Sequence, residues 1–568
     1  MIATDHILHY EDPATGELVE ICEEVGVDTR RIDLLTGDIN LTISMWIRGR
    51  KKLFDIERGE FANGLPKKFR SQGLTLSANR ETVEAVIDHI LDTDKLAPEA
   101  YYHKQLGFRE VDGSVVFLAD TPIGPLDPPK DNSHYVNPAV TAPQGTLSQW
   151  LFLVKNEVIG HANLELALSI GLSAPVAFLL REEKLFAEVP IWAVIGPSST
   201  GKTTVLRLMS SIYGSPEEST GLIKDLNSTE AAFYRSLSDS TGFPLIVDEA
   251  TCKTNWDFST AVYNLSKGMD RARCKTSGEL RERLSFSGAI VISGEDSLFD
   301  QSTSTLGTHA RLVELTLPWT EDGNHARRIS QGFRQHYGTA VYPFVSFLLT
   351  LYKEYPDILA KLFCHELEEL KTLAGTLSNV DERLFNMYAT VTTAAIIAKQ
   401  ALKLPLHVKK LRKLLVKQHQ QTADQRDPAE KLYEAVKDAV SRNGKYFPKT
   451  SGSGKSPLLP SDLWGEFSSR NGDSVLWVTQ STFNEFAVKA GFGNYKQLLA
   501  PLCQKGLMVS FGNRHYTTGH RLGSLSVRCY CLKMAPPTKP KPIPKPAKKL
   551  ATTKSPTRPD LLRDSDDE

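Results

Sequence analysis

Eight consecutive residues, Gly196-Pro197-Ser198-Ser199-Thr200-Gly201-Lys202-Thr203, have the types and spacing to hold a polyphosphate. Glycines at both ends of such a run let backbone N–H groups close around phosphate oxygens. The lysine supplies a cation, and the hydroxyl after it supplies an oxygen ligand for a divalent metal. Thr204 extends the run. A second group, Asp248-Glu249, pairs an acid suited to holding Mg²⁺ with one suited to orienting and deprotonating a water. The two groups together contain the parts for Mg²⁺-dependent hydrolysis of ATP, with Lys202, Asp248 and Glu249 in the catalytic roles and Thr203 and Asp248 on the metal. Ser293, in Ser293-Gly294-Glu295, is a candidate for sensing the γ-phosphate or positioning water. Arg311 offers a cation, either for transition-state charge across a subunit boundary or for an ordinary surface ion pair.

These residues need elements to hold them, and the flanking sequence supplies the pattern. The apolar run Ile191-Trp192-Ala193-Val194-Ile195 reads as a buried strand leading into the loop. Val205, Leu208, Met209 and Ile212 then recur at helical spacing until Gly214. Phe243-Pro244-Leu245-Ile246-Val247 reads as a strand that delivers Asp248 and Glu249 at its carboxyl end, where open α/β sheets bind ligands. Further strands are expected at residues 288–292, ending in Ser293, and at 312–317, preceded by Arg311. A second Gly-Lys-Ser, at Gly454-Lys455-Ser456, has Lys449 where the first glycine belongs and no strand before it, so it reads as linker.

Composition narrows the setting. Lys plus Arg and Asp plus Glu both number 67, so there is no global basic excess, and any nucleic-acid surface must be a local stripe. The N-terminus does not read as a secretory leader, and a cytoplasmic protein is expected. The most apolar stretch, residues 164–180, is interrupted by Glu165 and Pro175 and reads as a buried helix, so no membrane partner is expected. The seven cysteines are odd in number and scattered, which suits a reduced compartment. Only Cys529 and Cys531 are close together, no further Cys or His pair lies nearby, and no structural metal is expected.

Along the chain, residues 1–145 read as an α+β N-terminal domain with a helical pattern at 81–91, closing in a Pro-rich linker or loop at 121–143. Residues 146–335 alternate strands and helices, the pattern of an α/β parallel sheet, after a run of helix. Residues 336–448 read as a helical lid and 449–461 as a linker. Residues 462–534 read as helix-like runs before strands, an order that suits a winged helix. Residues 535–568, rich in Pro and Lys with an acidic end, read as a disordered tail. Between the expected helix around Val262 and the 288–292 strand, Arg271, Arg273, Lys275 and Arg281 surround a turn expected at Ser277-Gly278. This is either a solvated basic loop or a hairpin that tracks a phosphate backbone.

The blocks Ser198-Ser199-Thr200-Gly201-Lys202-Thr203-Thr204, Leu245-Ile246-Val247-Asp248-Glu249 and Ser293-Gly294-Glu295-Asp296-Ser297-Leu298 resemble the helicase-like AAA+ ATPases of phages and integrative elements. That family, long catalogued as a domain of unknown function, includes replicative helicases of staphylococcal cassette chromosomes. Gly145-Thr146-Leu147-Ser148-Gln149-Trp150, the stretch from Tyr263 to Arg273 with its Gly268, and His336-Tyr337-Gly338 support the resemblance, which spans roughly residues 41–533. The resemblance implies an AAA+ P-loop NTPase core, a hexameric homo-oligomer similar to superfamily 3 and minichromosome-maintenance helicases, and Arg311 as arginine finger. It also implies Arg271, Arg273 and Lys275 on a DNA-gripping hairpin, and a winged-helix end with Lys496, Lys505, Arg514 and Arg521 as possible phosphate contacts. Unlike relatives with a fused primase, residues 1–145 carry no cluster of metal-binding carboxylates, so a primase or other replisome partner, met through the C-terminal tail, is expected. The reading is an ATP-driven translocase or replicative helicase on single-stranded or forked DNA of a mobile element or phage. The alternative is an AAA+ loader or ATP-switched origin-binding initiator that does not unwind.

Overall fold

The computed structural model describes residues 1–534 except 12–14, 78, 219, 226–239, 249–257, 269–284, 302–309, 356, 376, 378, 422–427, 450–458, 494 and 513–514. The tail at 535–568 lies outside the described residues. The chain is a mixed α/β protein with several sheets and many helices.

In the N-terminal region, Ile39–Ile47 alternates apolar and polar residues, burying Leu41, Ile43, Met45 and Ile47 on one face as a period of two requires. It pairs antiparallel with Val25–Asp33 and Arg50–Glu57 inside a five-stranded sheet. The helix Arg80–Leu96, capped by the Asn79 side chain at Glu81 N, buries Val86 and Ile90 in the same small core.

The next hairpin, Leu106–Val111 with Ser114–Leu118, departs from the sequence reading. It belongs in part to the central core of the molecule, where Leu106, Phe108, Phe117 and Ala119 are buried. Its first strand pairs in parallel with Ser240–Thr241, and Phe117 stacks on Phe243 at 5.7 Å. Gly107 makes this close approach possible: with φ at +85°, a Cβ there would lie 1.8 Å from the Thr241 carbonyl oxygen. The Pro-rich segment 121–143, expected to be linker or loop, is partly packed as well. Ile123 and Val140 are buried in the central core, and the Thr121 amide and hydroxyl donate to the Tyr342 hydroxyl. The prolines shape the backbone, but the apolar residues between them decide where it packs.

The central feature is a five-stranded parallel sheet made of β1 (Ile191–Ile195), β2 (Ile223–Asp225), β3 (Leu245–Asp248), β4 (Ile290–Gly294) and β5 (Leu312–Leu315). Its spatial order is β2-β3-β4-β1-β5, so β4 is inserted between the strand that precedes the loop and the strand that ends in Asp248.

Three helices matter to the site: α1 (Ala162–Glu182), α2 (Lys202–Ser211) and α3 (Gly323–Gln335). As the sequence implies, α1 is a buried helix. It is long and apolar enough to span a membrane, but 89% of its most apolar stretch is buried inside the protein. Pro175 has no N–H for the Gly171 carbonyl one turn back, and the buried Tyr213 hydroxyl donates to that oxygen instead at 3.0 Å. Burial holds the Tyr213 phenol well above its ordinary pKa, so it remains a donor. The helix Asn379–Ala401 packs against α1, and with Val341–Glu354, Ile358–Ala374 and Val408–Gln421 it shares the central core.

The C-terminal part has a core of its own. The helix Pro428–Arg442, read from sequence as part of the helical region, places Leu432, Val436 and Val440 against Phe483, Leu502 and Leu532. Contrary to the expected order, strands come before the helices Gln480–Lys489 and Leu499–Gln504: Gly465–Arg470 and Asp473–Thr479 form a hairpin. Its turn is Asn471-Gly472, both at positive φ. The second hairpin, Thr518–Leu522 with Leu525–Lys533, completes a four-stranded antiparallel sheet. Cys529 and Cys531 lie buried on its last strand, and burial pushes their thiols up to about 12 and about 11.

Candidate functional site

The loop between β1 and α2 turns sharply, with Ser199 and Gly201 at φ of +66° and +88°. At Gly201 a Cβ would meet the Thr320 hydroxyl at 2.9 Å and Trp319 Cβ at 3.3 Å, so the loop lies close against the segment that follows β5. The Lys202 ammonium donates to the loop's own carbonyls, Gly196 O at 2.7 Å and Pro197 O at 2.9 Å. Thr203, in the first turn of α2, donates from its hydroxyl to Asp248 Oδ2 at 3.1 Å. The Ser293 hydroxyl donates to the other oxygen, Asp248 Oδ1.

Sheet order explains this convergence. β4 pairs with β1 on one side, Val194 beside Ser293, and with β3 on the other, Val247 beside Ile292. Ser293 and Asp248 are therefore neighbours at the carboxyl ends of adjacent strands, beside the loop that leaves β1. A cavity of about 540 Å³ opens over them. It is lined by Ser198, Ser199 and residues 201–204 of the loop and α2, by Asp248, by Ser293, Gly294 and Glu295, and by Gly323 and Ala326 of α3. Cation and hydroxyl donors on one side and carboxylates on the other give it the means to hold an anion together with a hard divalent cation.

Of the residues singled out in the sequence, the structure brings Lys202, Thr203, Asp248 and Ser293 together around this cavity. Arg311 is not among its lining residues. It directly precedes β5, which runs parallel to β1 with Leu312 beside Ile191, so it sits at the amino edge of the sheet, the end away from the loop. There its guanidinium lies 5.0 Å from the centre of the Tyr263 ring, and the Lys267 ammonium lies 4.2 Å from the same ring. The Lys267 hydrogen bond and charge, with a smaller part from Arg311, pull the Tyr263 phenol below its ordinary pKa. Glu249, Arg271, Arg273 and Lys275 lie outside the described residues.

Sequence reasoning missed the wall formed by α3. Asp322 caps this helix by accepting from His325 N at 2.8 Å. Gly323 lies on the cavity and the exposed Arg327 one turn further along the same face. The capping aspartate was the available signal. The two short blocks flanking the sheet are also brought together: Gln144 bridges Tyr337, Gly338 N donates to Ser211 O at the end of α2, and the Trp150 indole donates to the Ser211 hydroxyl.

The fold and site define a parallel α/β protein in which strand β1 opens through a glycine-containing loop into a helix, facing an aspartate and a serine on neighbouring strand ends. Residues 11–285 match the family model described as Domain of unknown function (DUF927), and residues 427–536 match the one described as Cch helix turn helix domain. The two matches agree with the resemblance, carried by the sequence blocks, to the helicase-like family that includes Cch. Among solved structures it is similar to one titled SCCmec type IV Cch, active helicase, with 20% identity and a TM-score of 0.70, covering 94% of this chain and 98% of that one. The likeness shows a shared fold over nearly the whole length. No curated protein matches.

Proposed function

We propose that the chain is an AAA+ ATPase that hydrolyses ATP with Mg²⁺ to move along single-stranded or forked DNA, acting as a replicative helicase of a mobile element or phage. The observation that carries this reading is the convergence of Thr203 and Ser293 on the two oxygens of Asp248, directly beside the Lys202 loop. Hydroxyl and carboxylate oxygens are a donor set that suits Mg²⁺, which prefers oxygen ligands and keeps several waters. Thr203 and Asp248 would hold it, and when bound it neutralises charge on the phosphates. Lys202, released from the loop carbonyls, pairs with phosphate oxygens, and the loop amides from Gly196 to Thr204 enclose them. Glu249, the residue after Asp248, polarises the attacking water, and Ser293 fixes the Asp248 carboxylate and the water's approach. Arg327 adds a cation from α3.

Arg311, at the sheet edge remote from its own cavity, acts in a neighbouring subunit of a hexameric ring. Arg271, Arg273 and Lys275 grip the DNA backbone. The named activity of the structurally similar Cch favours strand separation, and the helix-turn-helix region favours DNA as the partner. Unwinding of a forked duplex, measured for wild type and for Arg271, Arg273 and Lys275 all changed to Ala, tests the reading. The expected result is unwinding in the wild type only, with basal ATP hydrolysis kept in the variant. A wild type that hydrolyses ATP but never separates strands would support an ATP-switched initiator instead, a role that the separate C-terminal core also suits.

A further inference from the structure

At the start of α1 and the segment after β5, three side chains with metal-ligating atoms meet. His161 immediately precedes α1, and Glu321 and His325 straddle the cap of α3. One ligand atom from each lies within 4.8 Å of the other two. His161 Nδ1 and Glu321 Oε1 are 3.4 Å apart. Two donors sharing one tetrahedral ion at about 2.0–2.1 Å each would be separated by about the same distance.

His325 is buried, and its Nε2 faces two acceptors, the Glu157 carbonyl oxygen at 3.0 Å and the Glu157 carboxylate at 3.6 Å. Nε2 therefore carries the ring proton, and the lone pair is on Nδ1, where it accepts from the Glu321 amide at 3.4 Å, near the long limit of a hydrogen bond. Metal-binding histidines are commonly held in this way, with the far N–H fixed by a carbonyl or carboxylate. Glu157 is itself held, both carboxylate oxygens lying 3.1 Å from Arg328 Nε.

We propose that His161, Glu321 and His325 form a binding site for a zinc-class divalent transition-metal ion, supported from behind by Glu157. Two imidazoles and one carboxylate favour such an ion over Mg²⁺, whereas the oxygen donors at Asp248 favour the reverse, so the two sites select different metals. Three protein ligands leave one position for water. The ion ties the start of α1 to residues 318–322. In that segment Trp319 N donates to Thr200 O at 3.3 Å and Pro318 O accepts from the Asn163 side chain at 2.7 Å. The site thus braces the segment packed against the phosphate loop without entering its cavity. The expectation of no structural metal rested on the cysteines, whereas these ligands come from two histidines and a glutamate about 160 residues apart in the chain. The site does not depend on the nucleotide reading.

The test uses the full-length protein, stripped with a chelator and titrated with Zn²⁺, and with Co²⁺ as a spectroscopic probe, in excess Mg²⁺. The expected result is one equivalent bound, a visible Co²⁺ band of tetrahedral type, and a higher thermal midpoint with Zn²⁺. Glu321 is exposed and His161 partly so, hence His161→Gln and Glu321→Gln leave the fold intact. Each is expected to weaken Zn²⁺ binding at least tenfold, and together they remove the Co²⁺ band. Undiminished binding in the folded double variant, displacement by Mg²⁺, or no binding to folded wild type would each overturn the proposal.

Discussion

The cavity beside Lys202 and the C-terminal helix-turn-helix region are held in place by different means. Around the cavity, the register of a buried parallel sheet sets the geometry. Thr203, Asp248 and Ser293 come from three segments, each 45 residues from the next, and meet because β4 lies between β1 and β3. That sheet is packed into a large core shared with α1, the helices of residues 341–421 and the hairpin at 106–118. The C-terminal region instead has its own apolar core, running from Ala429 to Leu532. The difference teaches that the first site should be sensitive to changes anywhere in a wide core, and the second should tolerate them.

The largest effect that separates the two is expected from Lys202→Ala. Removing the proposed phosphate cation should lower ATP turnover by about a hundredfold or more, while the duplex binding proposed for the C-terminal region stays unchanged in a gel-shift assay. Loss of both together would mean that the two regions are not independent. A smaller effect is expected from Ser293→Ala, which frees one oxygen of Asp248. Turnover should fall by roughly tenfold to a hundredfold with nucleotide affinity nearly constant, as read by steady-state kinetics alongside equilibrium binding. Equal losses in both would place Ser293 in ground-state binding. The smallest is Tyr213→Phe, which lies just past the end of α2 and is not among the residues lining the cavity. It leaves the Gly171 carbonyl beside Pro175 without its donor, at a cost of about 1–3 kcal/mol, measurable as a shifted urea midpoint of the central transition. A midpoint unchanged within error would show that another group satisfies that oxygen.

Much of the cavity could be read from the sequence because its signals are local. The strand, the Gly196–Thr203 run and the helical spacing of Val205, Leu208, Met209 and Ile212 are contiguous, and the apolar strands deliver Asp248 and Ser293 by position alone. α1 was legible for the same reason, being apolar on all sides. Part of what escaped depends on pairing across long stretches of chain. The hairpin at 106–118 is assigned to the central core by a parallel partner at Ser240–Thr241, which no local periodicity reveals. The α3 wall escaped because the reading stopped at the strand before it. The order of the C-terminal region was misread although its sequence carried a cue: Asn471-Gly472 directly ahead of the strand-like run Val475-Leu476-Trp477-Val478 is a hairpin turn.

The most direct test of the central claim is steady-state ATP hydrolysis with and without single-stranded DNA, for wild type and Glu249→Gln. The account predicts Mg²⁺-dependent hydrolysis that DNA stimulates, and a variant that binds ATP but does not turn it over. Hydrolysis at the wild-type rate in Glu249→Gln would contradict the assignment of the site, and wild-type hydrolysis indifferent to DNA would contradict the motor.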